Sequence, residues 1–273
     1  ALPACRAIVR YGVGVDSIDL AAATQHGVVV ANAADFCTEE VSDHAVALIL
    51  AGVRRIAYFD RKIRGGSWQG YDPNLALRRV GSLTLGLLGW GRIAQAVARK
   101  MAGFQMRILV ADPYARSLPP GSPVQLVSKE QLLRDADLLS LHLPLNMETR
   151  HVINESALQL MKPSALLINT SRGGVVDESA LVRALQEKRL SGAALDVFEV
   201  EPLPATSPLR VMEQVTLTPH HAASSQDAMQ HLHRTVADSV DALLHGFSPP
   251  FVINHTVVPR VALRPWKDFR PCR

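Results

Sequence analysis

The chain has 273 residues, of which 48% are hydrophobic and 20% charged, with a formal net charge of +4. Such a composition excludes disorder and supports a substantial core. Residues 247–273 hold five basic side chains against one aspartate, so residues 1–246 are neutral and offer no broad basic face for nucleic acid. No apolar run reaches the roughly 18 residues of a membrane span. The first residues lack the basic, apolar, small-residue order of a signal peptide. Cys5, Cys37 and Cys272 are isolated and without CxxC spacing, which reads as reduced thiols of a cytoplasmic protein.

In chain order, Cys5 to Arg10 reads as a strand, Tyr11 to Gly14 as a turn, Ile18 to Gln25 as a short helix and Val28 to Val30 as a strand. One long helix is predicted from Glu39 to Ile63. Its apolar, small-residue first half suggests burial between layers or at a subunit interface. Glycines, Trp68 and Pro73 then break the pattern over Gly65 to Pro73, where a domain crossing is expected. From Leu83 onward short apolar strands alternate with helices. Strands are predicted at Leu83–Leu88, Met106–Ala111, Leu138–Leu141, Ala165–Ile168, Gly192–Leu195 and Val215–Leu217. Helices are predicted at Arg92–Met101, Ser128–Arg134 with a Ser128/Gln131 capping box, Glu155–Met161 and Ser179–Glu187. This rhythm predicts an α/β fold with a Rossmann-type, doubly wound parallel sheet. A long amphipathic helix, Ser225 to His245, ends at Gly246.

The segment Gly86–Ala94 contains GxGxxA at Gly89, Gly91 and Ala94, directly after a predicted strand and opening a helix. A glycine at 89 allows the tight turn, one at 91 allows close approach of a pyrophosphate, and Ala94 lets helix meet sheet. Unpaired N–H groups at the helix start then bind anions. Asp112 ends the next predicted strand, where a carboxylate accepts hydrogen bonds from both ribose hydroxyls of NAD and repels a 2′-phosphate. NAD is therefore expected in preference to NADP, although Arg116 is near. No GxxxxGK[ST] loop and no metal-ligand set occurs.

Ligands of an open parallel sheet lie beyond the carboxyl ends of its strands. Arg172, Glu201 and His220 fall there, a set suited to hydride transfer to a 2-keto acid. Arginine grips a carboxylate with two parallel donors. Histidine donates a proton near neutrality, and an adjacent carboxylate orients such a ring. Spacing alone leaves Glu199 as an alternative to Glu201, and His221 as an alternative to His220.

Several ordered signatures carry a family resemblance. They are Arg10–Asp19, Leu87–Ile93, His142-Leu143-Pro144-Leu145 with Thr149, Asn169–Glu178, Ala194–Phe198 with Glu201-Pro202, and Thr218-Pro219-His220. Together they resemble the D-isomer-specific 2-hydroxyacid dehydrogenases from Ile8 to about Asn254, and most of all the branch of C-terminal-binding protein. The resemblance implies a D-stereospecific oxidoreductase working between NAD(H) and a 2-hydroxy acid/2-keto acid pair, with Arg172 binding substrate, His220 as acid/base and Glu201 as its partner. It assigns Gly89, Gly91, Arg92, Ile93, Asp112, Pro144, Thr149 and Asp196 to the cofactor, and Val13 and Gly14 to the substrate carboxylate. Ser224 and Ser225 stand where relatives carry a bulky aromatic pair, which implies a wider or more polar pocket.

The expected organisation is a partial substrate domain over 1–72, an NAD-binding domain over 73–222, and a helix and tail over 223–273 returning to the substrate domain. That smaller domain is expected to be flavodoxin-like and incomplete, because family members begin with roughly 50 residues more before the strand holding Ile8. A homodimer through the long helix is expected, and the basic tail reads as a loosely packed, solvated end. The alternative function is an NAD-sensing, corepressor-like interaction protein with little turnover.

Overall fold

The computed structural model describes residues 4–68, 75, 77–118, 122 and 124–271. In chain order the elements begin with β1 (Ala7–Val9), α1 (Leu20–Gln25), β2 (Val29–Ala31), α2 (Thr38–Val53) and α3 (Ile56–Arg64). Next come β3 (Thr84–Leu88), α4 (Arg92–Met101), β4 (Arg107–Ala111), β5 (Val124–Leu126), α5 (Lys129–Asp135) and β6 (Leu138–Leu141). The chain continues through α6 (Glu155–Leu160), β7 (Leu166–Asn169), α7 (Glu178–Gln186), β8 (Gly192–Leu195), β9 (Val215–Leu217) and α8 (Gln226–Leu244). Two compact units result: residues 1–37 with 224–273, and residues 38–223.

The larger unit is a seven-stranded parallel sheet in the order β5-β4-β3-β6-β7-β8-β9. Successive strand residues point to opposite faces, and both faces are apolar. Leu85, Leu87, Ile108, Val110, Leu138 and Ile168 pack with Ala45, Leu48 and Ile49 of α2 and Val97 and Met101 of α4. On the other face, Leu109, Leu139, Leu141, Leu167 and Leu195 pack with Leu132, Leu158, Leu181 and Leu185 from α5, α6 and α7. Helices on both faces explain why these strands read as continuous apolar runs rather than alternating ones. Strand order reverses between β3 and β6, the point where a doubly wound sheet opens a crevice at its carboxyl edge.

Helix starts follow their side-chain caps. Asp19, Ser128, Asn154, Asp177 and Ser225 each accept a backbone N–H of the first turn, a contact that stabilises a helix by about 1 kcal/mol. Ser225, expected to polarise the substrate pocket, is thus the N-cap of α8, donated to by Ala228 N at 2.8 Å. The predicted helix Glu39–Ile63 is two helices. Arg55 between them is left-handed (φ +53°), its N–H reaches Gly52 O at 3.2 Å, and its guanidinium donates to Ser191 O at 3.3 Å. Apolar spacing continues through this break because each helix keeps its own apolar stripe. Strand β5 was not anticipated: three residues, two of them exposed, carry too short a pattern.

The first unit boundary lies between residues 37 and 38, not 72 and 73 as read from the sequence, because α2 packs on the large sheet. The second lies between 223 and 224. The crossing expected over Gly65 to Pro73 extends beyond the described residues, as do Cys272 and Arg273.

In the smaller unit β1 and β2 pair in parallel, making a small α/β lobe with α1 and α8. Asn254 ties the tail to β2: its Oδ1 accepts Val30 N at 2.8 Å, and its Nδ2 donates to Val28 O at 2.9 Å and Thr24 Oγ1 at 3.0 Å. The end expected to be loosely packed is instead anchored. Arg264 lies 3.7 Å above the Phe247 ring and donates to His245 O at 2.8 Å. Phe269 is buried against His245, Phe247 and Trp266. His245 and Phe247 lie about 20 positions before Arg264 and Phe269, outside any local window.

Candidate active site

Because all strands of the large sheet are parallel, their carboxyl ends share one edge. The glycine turn follows β3, Asp112 follows β4, His142 and Pro144 follow β6, Arg172 follows β7, Asp196 and Glu201 follow β8, and His220 follows β9.

At the β3 end, Gly89 has φ +95°, and a Cβ there would lie 2.4 Å from His142 O, so no other residue fits. Gly91 caps α4 without a side-chain contact, and a Cβ on it would meet nothing within 4 Å. The space beside Gly91 at the start of α4 is therefore open, as a pyrophosphate lying against a helix N-terminus needs. The Asp112 carboxylate accepts Trp90 N and Tyr114 N, both at 2.7 Å. Each oxygen keeps a further lone pair for a ribose hydroxyl. These residues fit a dinucleotide. The sequence had not revealed that Asp112 also fastens the glycine turn to β4.

The loop after β6 is held from within. Thr149 Oγ1 donates to Pro144 O at 2.6 Å and accepts Asn146 N at 2.9 Å. Asn146 Oδ1 in turn accepts the amides of Glu148 and Thr149. Burial pushes His142 down to about 4, so its ring is neutral at physiological pH, with Nε2 2.9 Å from Ser140 Oγ.

At the other end of the edge, His220 Nδ1 is 2.7 Å from Glu201 Oε2, and Glu201 Oε1 accepts Phe198 N at 3.0 Å. Nδ1–H thus points at the carboxylate and Nε2 is the outward atom. Glu199 is turned elsewhere, against His151 and the amide of Glu178. Burial, with repulsion from Glu199 added, raises Glu178 above the usual carboxylate range. His220 itself is left-handed (φ +51°), a conformation costly for a residue with a Cβ.

Arg172 follows a loop clamped by Asn169, whose Oδ1 accepts Ser171 N at 3.0 Å and whose Nδ2 donates to Arg172 O at 2.9 Å. Gly173 comes next, and a Cβ there would lie 1.9 Å from the Phe198 carbonyl. The Arg172 loop therefore rests directly on the segment leading to Glu201. Asp196, expected at the nicotinamide, is 1% exposed. It accepts Thr218 Oγ1 at 2.6 Å, His221 N at 2.9 Å and Ala222 N at 2.9 Å. Sequence spacing had pointed to neither this web nor His44 beside it.

In the smaller unit, Asn32 Nδ2 donates to Val13 O at 2.6 Å and Arg10 Nε to Gly14 O at 3.1 Å. The Val13 and Gly14 carbonyls are thereby engaged. Among the described residues, no group of three or more His, Cys, Asp or Glu could hold a metal, and no helix is long and apolar enough to cross a membrane.

Residues 46–222 match the family described as D-isomer specific 2-hydroxyacid dehydrogenase, NAD binding domain. A glyoxylate reductase of Korarchaeum cryptofilum is 43% identical over 261 residues, spanning 94% of this chain and 79% of that protein. The chain belongs to the D-isomer specific 2-hydroxyacid dehydrogenase family. Like the family, it is an NAD(H)-dependent oxidoreductase acting on a 2-hydroxy acid/2-keto acid pair. Solved structures of the same kind superpose closely. A Thermus thermophilus protein gives a TM-score of 0.83 at 38% identity, covering 91% of this chain and 78% of that one. An NADPH-dependent glyoxylate/hydroxypyruvate reductase from Sinorhizobium meliloti, in complex with NADP and malonate, gives 0.84 at 32% identity, covering 96% and 81%.

Proposed function

We propose that this dehydrogenase reduces a small 2-keto acid of the glyoxylate class, with His220 as the proton donor. The observation that carries this reading is the 2.7 Å contact between His220 Nδ1 and Glu201 Oε2 at the carboxyl edge of the sheet. Similarity to a glyoxylate reductase and to a glyoxylate/hydroxypyruvate reductase supports the substrate class.

NAD(H), when bound, supplies the hydride that C2 of the keto acid accepts. Gly89, Gly91, Arg92 and Ile93 would hold its pyrophosphate, Asp112 its adenosine ribose, and Pro144, Thr149 and Asp196 the remainder. Asp112 favours NAD over NADP by charge. Arg172 grips the substrate carboxylate and carbonyl through its planar donors. The amides of Val13 and Gly14 are assigned to the substrate carboxylate by the family resemblance. As the carbonyl oxygen gains charge, Arg172 stabilises it and His220 Nε2 delivers the proton, while Glu201 keeps Nδ1 protonated and the ring aimed. The product is a D-2-hydroxy acid.

A corepressor-like, NAD-sensing protein has no use for the His220–Glu201 pair, which favours the enzyme. The reading extends to a cytoplasmic homodimer with a flavodoxin-like substrate domain. Free Cys5 and Cys37 support a reducing compartment, and α3, with no buried residue and with Ile56 and Ile63 exposed, supports a second copy as its cover; a doubled mass in light scattering is expected.

NADH oxidation with glyoxylate and larger 2-keto acids tests the function. His220→Ala is expected to lower kcat by about 10²- to 10⁴-fold without loss of NADH binding. Tight NADH binding with no turnover of any 2-keto acid by the wild type would overturn the proposal.

A further inference from the structure

His44 lies on α2, well before the catalytic segments in the chain, yet the fold brings it under the loop that carries His220. Its Nε2 is 3.0 Å from Thr218 Oγ1 and 3.5 Å from Asp196 Oδ1. The Thr218 hydroxyl donates to Asp196 Oδ1 at 2.6 Å. A hydroxyl has a single proton, so with Asp196 ionised Thr218 must accept from His44, and His44 Nε2 carries hydrogen.

Asp196 is the hub of the loop. Its carboxylate holds Thr218, His221 and Ala222, and its own carbonyl accepts His220 N at 2.7 Å. A carboxylate this buried needs a full set of donors to remain charged. The left-handed backbone at His220 persists only where its surroundings over-determine it. From these contacts we infer that His44 is a positioning residue for the acid–base step: through Thr218 and Asp196 it fixes the backbone that presents His220. The inference rests on His220 being the proton donor. Among the described residues His44 makes no hydrogen bond to the glycine turn or to Asp112, so its effect falls chiefly on the chemical step, with a lesser one on NADH through Asp196.

Without His44 the Thr218 hydroxyl loses its donor and Asp196 loses its nearest side-chain support from α2. The strained loop then relaxes and His220 Nε2 is displaced. Small misplacements of a reacting group reduce rate steeply without altering binding.

The experiment compares wild type, His44→Ala, His44→Gln, Thr218→Val and His220→Ala by steady-state kinetics with glyoxylate, NADH fluorescence titration and thermal melting. His44→Ala and Thr218→Val are expected to lower kcat about 10- to 100-fold, with KM and the NADH Kd, which Asp196 also touches, changed by no more than about threefold. His44→Gln restores most of kcat, because its amide N–H can take the place of Nε2–H. Should His44→Ala fail to fold, Thr218→Val and His44→Gln decide by the same split. The inference is overturned if kcat of folded His44→Ala or Thr218→Val stays within about twofold of wild type. It is equally overturned if kcat, NADH affinity and melting temperature fall together without rescue by glutamine. Full turnover in His220→Ala would instead refute the acid–base reading beneath it.

Discussion

The two ends of this sheet edge do their work with different materials. In the proposed site the binding groups at β3 and β4 are chiefly main-chain amides, presented by Gly89, Gly91 and the start of α4. At β7, β8 and β9 they are side chains, Arg172, Glu201 and His220, each aimed by further polar contacts. A backbone site is specified by conformation, so its requirement is written into a few adjacent glycines. A side-chain site depends on support from distant segments, here Asp196, Thr218 and His44 for His220, and Phe198 for Glu201. The first end should therefore fail when a Cβ is added. The second should fail when a remote polar partner is removed.

The strongest way to break the backbone end is Gly89→Ala. The new methyl would meet His142 O at 2.4 Å in a left-handed backbone, so the turn must shift. NADH affinity is expected to fall about 100-fold, together with stability by about 2–3 kcal/mol, read by fluorescence titration and urea unfolding. Unchanged affinity would mean that the turn does not cradle the cofactor.

A smaller effect tests the seam between the ends, at His142 on the carboxyl side of β6. Its value in the folded protein, about 4, lies below the ordinary 6.5. A depressed histidine contributes stability that is complete above pH 6.5 and lost as pH falls from there to about 4. The loss is expected to reach about 1–3 kcal/mol. Unfolding at pH 7.5 and 4.5 should show it in wild type and much less of it in His142→Gln. Equal pH dependence in both proteins would exclude His142 as the source.

The smallest effect sharpens the comparison by altering Asp112, the side chain proposed to choose the cofactor. Asp112→Asn removes the charge and keeps an acceptor for only one of the two amides, Trp90 N or Tyr114 N. The NADPH-to-NADH preference, measured as a ratio of kcat/KM values, should rise by about tenfold. No change would assign cofactor choice to another residue.

Much of this was legible in the amino-acid order, and the reasons are local. Strands β6, β8 and β9 and helix α4 have the predicted bounds, because buried parallel strands and glycine-opened helices carry their signals within a few residues. The break at Arg55 was not legible, since a left-handed arginine is held by Ser191, far along the chain. Spacing left Glu199 and Glu201 equal. Geometry separates them: one faces His151, the other His220. The anchoring of the tail by Asn254 and Phe269 was missed for the same reason as Arg55, because its partners are distant.

Residue order on its own thus specified the doubly wound sheet, the glycine turn with Asp112, and the residue types that close each strand. These follow from hydrophobic periodicity and backbone sterics, which act over a few positions. Only the tertiary structure decided that α2 belongs to the large sheet, that Asp196 is a buried hub, and that His44 stands behind Thr218. Such choices depend on burial and on hydrogen bonds between segments up to 174 residues apart, and no local pattern encodes them.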